Sequence, residues 1–205
     1  MEMVRTEDEP PRPSRRGGRD DRVGEADAVL MQHIATADRT AMLVLFSRYH
    51  LAVYRFVLQR VQDTALAEDL TSEVFLDVWH HADCFEGRCA VLTWILAIAR
   101  HKTFAACPRP RPQFDGNGGS GGENTDAPDE PLQASDRPTV LRRCIARLSA
   151  EHREVIDLVY YQEQSMESVA TILGVPRSTA KTCVSYARKR LADELKKTDV
   201  EWVAT

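Results

Sequence analysis

The sequence predicts an all-α protein: two small helical domains joined by a flexible linker, the C-terminal one a helix-turn-helix. Three observations carry this. Apolar residues recur at helical spacing almost without a break from Ala26 to about Ala106. The stretch CPRPRPQFDGNGGSGGENTDAPDEPLQASDRP then removes nearly every residue that could be buried and supplies Pro and Gly that interrupt any element. Helical spacing resumes from Val140 to Lys197, where Gly174-Val175-Pro176 separates a short apolar helix from a basic one. The expected segments are a disordered tail over 1–24, a helical domain over 25–106, an acidic linker over 107–137 and a second helical domain over 138–198.

Composition narrows the classes further. A chain of 205 residues with 43% hydrophobic content can bury real cores. The net charge of -4 argues against nonspecific coating of nucleic acid, so any DNA contact must be local. No apolar run approaches the roughly 20 residues of a membrane span, and the N-terminus lacks the apolar core of a signal peptide. A cytoplasmic protein without membrane insertion is expected. Five cysteines, an odd number scattered among helical patterns, fit reduced thiols better than a disulfide scaffold. His80, His81, Cys84 and Cys89 form the one cluster with metal-ligand chemistry, but their spacing is not that of a structural zinc site. No metal and no cofactor is expected.

Each element has its own signal. Residues 1–24 are rich in Pro, Arg, Gly and Asp and have almost nothing to bury. In RTAMLVLFSRYHLAVYRFVLQRV, a broad inward stripe is read through Leu43, Phe46, Tyr49, Val53, Phe56 and Val57. The next helix, TALAEDLTSEVFLDVWHHA, turns Leu66, Leu70, Val74 and Val78 to a core. Its other side stacks Asp69, Glu73 and Asp77 at i, i+4 and i+8. Stacked carboxylates repel, so this face costs stability unless something basic or metallic meets it. After the loop DCFEGRCA, the helix VLTWILAIARHKTFAA directs Leu92, Ile95, Leu96, Ile98 and Ala99 inward and leaves Trp94, Arg100, His101 and Lys102 for the outside.

The C-terminal pair reads most clearly. Ser165 is placed to cap a helix that buries Val169, Ile172 and Leu173, and Gly174 can supply the positive φ that ends it. In the following helix Ala180, Val184, Ala187 and Leu191 make one apolar stripe, opposite a polar face with Lys181, Thr182, Ser185, Arg188 and Lys189. A tight turn between two such helices matches the arrangement whose second helix enters the DNA major groove. The residues alone leave open a stand-alone helix-turn-helix regulator with a sensing or dimerisation module, and a thiol or zinc sensor built on His80 to Cys89. An enzyme is disfavoured, because no nucleophile-base, phosphate-loop or HExxH-like pattern occurs.

Taken in order, AEDLTSEVFLDVW, FEGR, TWILAIAR and LSAEHREVIDLVYYQEQSMESVATILGVPRSTAKT resemble bacterial RNA polymerase sigma factors of the extracytoplasmic-function class. These carry only the second and fourth conserved regions. The resemblance implies an alternative sigma factor that binds core RNA polymerase and directs promoter recognition, melting and initiation of a stress regulon. Asp69, Glu73 and Asp77 would then dock on the basic coiled coil of the polymerase clamp. The loop from His81 to Ala90 and the helix after it would hold the minus-ten element, with Phe85, Arg88 and Trp94 facing bases and Arg100 and Lys102 facing phosphates. Arg177, Ser178, Thr179, Lys181, Thr182, Ser185, Arg188 and Lys189 would meet the minus-thirty-five element. Cys183 and Tyr186 stand where arginine is common in the family. The resemblance also implies an anti-sigma factor, which a flexible tether would let both domains clasp at once.

Overall fold

The computed structural model describes residues 17–107 and 137–203, with side chains from 26 to 107 and from 139 to 197. All regular elements among the described residues are helical: α1 (Gly17–Ala35), α2 (Arg39–Val61), α3 (Thr64–His80), α4 (Val91–Ala106), α5 (Arg137–Ala146), α6 (Ala150–Ile156), α7 (Met166–Leu173) and α8 (Arg177–Val203). A 3-10 turn at Ala82–Cys84 follows α3, and a π-helical turn at Asp157–Tyr161 continues α6. Helix α1 starts at Gly17, inside the segment expected to be a disordered tail; residues 1–16 and the linker at 108–136 lie outside the described residues. The expectation of disorder rests on missing apolar residues, and a helical N-terminal extension needs none.

Helices α1 to α4 pack into one module. Asp38 starts α2 by accepting from the amides of Thr40 and Ala41, and Asp63 starts α3 by accepting from Leu66, each satisfying donors that a helix start leaves orphaned. Gln62 ends α2 with a left-handed φ of 58°. Buried Asp27 on α1 receives the Arg48 guanidinium and the Tyr49 hydroxyl of α2, which ties those helices together. The core contains Met31, Ile34, Leu45, Val53, Val57, Val74, Val78, Ile95 and Leu96.

The stripe expected on α2 is only partly the buried one. Leu43 is 68% exposed and Phe46 lies at the surface, while Ala41 and Leu45 are the residues buried at that end. A helix whose apolar residues cover more than half its circumference offers more than one stripe, and only packing chooses between them. By length and composition alone α2 is also apolar enough to cross a membrane, which corrects the expectation that no segment is. Its residues Leu45, Val53, Phe56 and Val57 instead build the core of the module.

The second module, α5 to α8, follows its sequence signals closely. Ser149 caps α6, and Ser165 caps α7 by accepting from the amide of Ser168. Gly174 ends α7 at φ 66°, where a side chain is disfavoured by the backbone itself. Val169, Ile172, Leu173, Ala180, Val184 and Ala187 are buried together. The modules also touch: α4 packs on α7 and α2 on α6. Thr93, fully buried on α4, donates to Gln164 at 2.9 Å, and the Gln162 side chain donates to the Ala52 carbonyl at 3.3 Å.

Candidate functional site

The acidic stripe lies on the solvent side of α3, because Leu70, Val74, Phe75 and Val78 take the other side into the core. Asp69 and Glu73 are exposed, and Asp77 is half-buried. Lys102, expected to face phosphates, reaches across from α4 instead, with its ammonium 2.9 Å from Asp77 and 3.3 Å from Glu73. Burial alone would lower the Lys102 pKa, but the hydrogen bonds it donates to Asp77 and Glu73 and their charges outweigh it and hold it above the ordinary lysine range. Part of the repulsion that the stripe would otherwise suffer is thereby relieved within the chain. Asp69 has no such cation among the ion pairs of the described residues.

Next to this face stands the loop between α3 and α4. Gly87 adopts φ 71°, the left-handed turn that brings FEGR round. Phe85 and Trp94 meet edge to face with ring centroids 5.6 Å apart, and both are half-buried against the core. Arg88 is 83% exposed and pairs with exposed Glu86 at 2.6 Å, a contact of little energetic worth that a stronger partner could displace. Arg100 departs from its expected place. Its side chain is 16% exposed and its Nε donates to Glu154 at 2.8 Å, so it faces the second module rather than solvent.

On α8 the apolar stripe packs inward and orients the rest. Ser178, Lys181, Thr182, Ser185, Arg188 and Lys189 are exposed and Thr179 is half-buried, while exposed Arg177 pairs with Glu167 at 2.8 Å. Arg188 lies 5.6 Å over the ring of Tyr160. Cys183 is 7% exposed and faces the core, so it cannot present its thiol to a groove; Tyr186 is exposed. Burial raises the Cys183 thiol pKa.

The cysteine and histidine cluster does not assemble. Among the described residues no three His, Cys, Asp or Glu side chains converge as a metal set. The Cys84 thiol is pushed up chiefly by the Asp83 charge, and the Cys89 thiol by burial, so both hold less thiolate than an ordinary cysteine.

One chain thus carries an exposed acidic helix face on its first module and an exposed basic helix on its second. The Sigma-70 region 2 family matches residues 45–106 and the Sigma-70 region 4 family matches residues 144–193. The ECF RNA polymerase sigma factor SigL of Mycobacterium tuberculosis H37Rv is 31% identical over 160 residues, covering 77% of this chain and 90% of the relative. The chain belongs to the extracytoplasmic-function sigma factors. Among solved structures, RpoE of Bartonella quintana, determined with the anti-sigma factor NepR, is similar with a TM-score of 0.55 at 26% identity, covering 74% of this chain and 94% of that one. CnrH, determined with the cytosolic domain of CnrY, shares the fold with a TM-score of 0.61 at 19% identity, covering 84% of this chain and 98% of its own.

Within this sigma factor the region 2 match runs from inside α2 to the end of α4, and the region 4 match from the end of α5 into α8. Three residues at the junction of the regions have no signal in the sequence: Arg60, Phe104 and Glu154. Arg60 stands 3.3 Å from Glu154, and its guanidinium lies 3.6 Å from the centre of the Phe104 ring. No local pattern marks them, since Arg60 and Glu154 are 94 residues apart.

Proposed function

We infer that the chain is an alternative sigma factor that binds core RNA polymerase through the α3 carboxylates and reads promoter DNA with the α3–α4 loop and α8. The observation that carries this reading is one chain matched to both regions, with an exposed acidic face on the first and an exposed basic helix on the second. On this reading the protein acts in the cytoplasm, where polymerase and DNA are. A weak overall charge suits the role, because core polymerase supplies most of the affinity for DNA and only local surfaces need to be basic.

Run-off transcription with purified core polymerase on genomic promoter fragments tests the reading, and Lys181→Ala tests its DNA half in the same assay. Lys181 is exposed near the start of α8, one position beyond buried Ala180, so its loss leaves the packed stripe intact. Transcription from a promoter that depends on its upstream element is expected to weaken by roughly 1–3 kcal/mol if Lys181 reads a base and by less if it touches phosphate. Co-purification with core polymerase should be unaffected. Undiminished transcription would remove α8 from the groove.

The structural relative RpoE was solved with an anti-sigma factor. The two regions of this chain present separate exposed faces, and one inhibitor bound to both gains from their linkage. Tagged protein recovered from unstressed cells is expected to carry a stoichiometric small partner besides polymerase. Recovery with polymerase alone would mean that the protein is controlled by its abundance.

A further inference from the structure

The seam between the regions is built from charge. Glu154 on α6 is 5% exposed and accepts from Arg60 of α2 at 3.3 Å and from Arg100 of α4 at 2.8 Å, with those side chains 12% and 16% exposed. Both guanidiniums lie against the ring of Phe104, at 3.6 Å and 4.5 Å from its centre. A shallow cleft lined by Phe56, Gln59, Arg60, Ala150, Arg153 and Glu154 opens along the same seam.

Such a junction is a poor permanent glue. Two guanidiniums and one carboxylate lose their hydration when the regions close, and an apolar contact of the same size would hold as well or better. A fixed interface gains little from this chemistry, whereas an exchangeable one depends on it. Two guanidiniums held on an aromatic face form a cradle for any compact oxyanion, and a phosphate diester meets the same nitrogens as a carboxylate does. Arg60 and Arg100 belong to region 2, the region that engages promoter DNA in the proposed function, and Glu154 belongs to region 4.

We propose that Arg60 and Arg100, held against Phe104, form a binding site for a backbone phosphate of DNA, and that Glu154 occupies this site in a closed arrangement of the factor. One carboxylate and one phosphate cannot share the same donors, so the regions part before the site takes DNA. The contacts from Thr93 to Gln164 and from Gln162 to the Ala52 carbonyl break in the same movement. The proposal rests on the reading of the chain as a promoter-binding factor, but its test needs no polymerase.

The full chain is compared with Glu154→Gln and with the double variant Arg60→Gln/Arg100→Gln, by small-angle X-ray scattering and by titration of a labelled nonspecific DNA duplex at several salt concentrations. Both variants are expected to open, with a larger radius of gyration at unchanged helical circular dichroism. Only Glu154→Gln also frees the cradle. Its duplex affinity should rise roughly five- to tenfold, and its salt dependence should steepen by about 0.9 in log–log slope for each phosphate gained. The double variant should show neither change. A Glu154→Gln protein as compact as the parent overturns the closing role. One that opens but binds the duplex no better than the double variant overturns the phosphate site, while the sigma assignment, which run-off transcription tests separately, stands.

Discussion

Reversing two charges on α3, Asp69→Lys together with Glu73→Lys, is expected to abolish co-purification with core polymerase and run-off transcription while leaving the helical content and melting temperature near those of the parent. The separation of the two effects follows from where the residues sit. Asp69 and Glu73 are exposed, and the residues that hold α3 in the module, Leu70, Val74, Phe75 and Val78, occupy the opposite side. Exposed substitutions away from such packing usually change stability by no more than about 0.5 kcal/mol. The ion pair between Glu73 and Lys102, at 3.3 Å, is half-exposed and of small worth, and Asp77 remains to hold that lysine at 2.9 Å. Against a basic partner each reversal replaces attraction by repulsion. At touching distance one such interaction is worth about 1 kcal/mol in water and about 4 kcal/mol at an interface of intermediate polarity. Two reversals therefore predict a loss of at least about a hundredfold in affinity. Wild-type recovery of core polymerase by the double variant would show that the stripe is an ordinary solvated face. Asp69 is the more informative single change, since Glu73 already shares Lys102.

Legibility in the sequence follows the range of the interactions. The helix-turn-helix can be read almost residue by residue, because a cap at Ser165, a left-handed Gly174 and the stripe Ala180, Val184 and Ala187 are all set within a few residues of each other. The acidic side of α3 is equally visible, since the apolar side opposite it has one unambiguous period. On α2 the apolar residues run too far round the helix for a period to choose a face, so periodicity puts Leu43 and Phe46 inside although both lie at the surface. The family resemblance assigns Arg100 and Lys102 to phosphates, and nothing in it reveals that Glu154 stands within reach of one and Glu73 and Asp77 within reach of the other. Glu154 is 54 residues from Arg100 and Glu73 is 29 from Lys102, beyond any helical period. The π-helical turn at Asp157–Tyr161 also leaves no trace, because widening a helix by one residue shifts the burial pattern without changing its composition.

That turn carries the last expected effect. Asp157 is 5% exposed, and its carboxylate accepts from the Gln162 side chain at a long 3.5 Å. Loss of hydration, aided by the charge of nearby Glu154 and only partly offset by Gln162, raises its pKa from 3.8 to about 6. Between those two values the folded protein holds a proton that the unfolded chain has released. Stability from this group is therefore present in full below the unfolded value and is lost as pH rises through the folded one. At neutral pH the ionised, buried carboxylate costs about 3 kcal/mol relative to its protonated form, since each pKa unit is worth about 1.4 kcal/mol. Asp157→Asn keeps the shape and the contact with Gln162 and removes the charge. The variant is expected to be more stable than the parent by up to about 3 kcal/mol near pH 7.5 and by roughly half as much near pH 5. Denaturant unfolding of both proteins at the two pH values measures the difference directly, and subtracting one protein from the other cancels the remaining carboxylates. An advantage that stays constant with pH would mean that Asp157 is not the group being titrated. A variant less stable than its parent at pH 7.5 would mean that the buried carboxylate is satisfied by partners that an amide cannot replace.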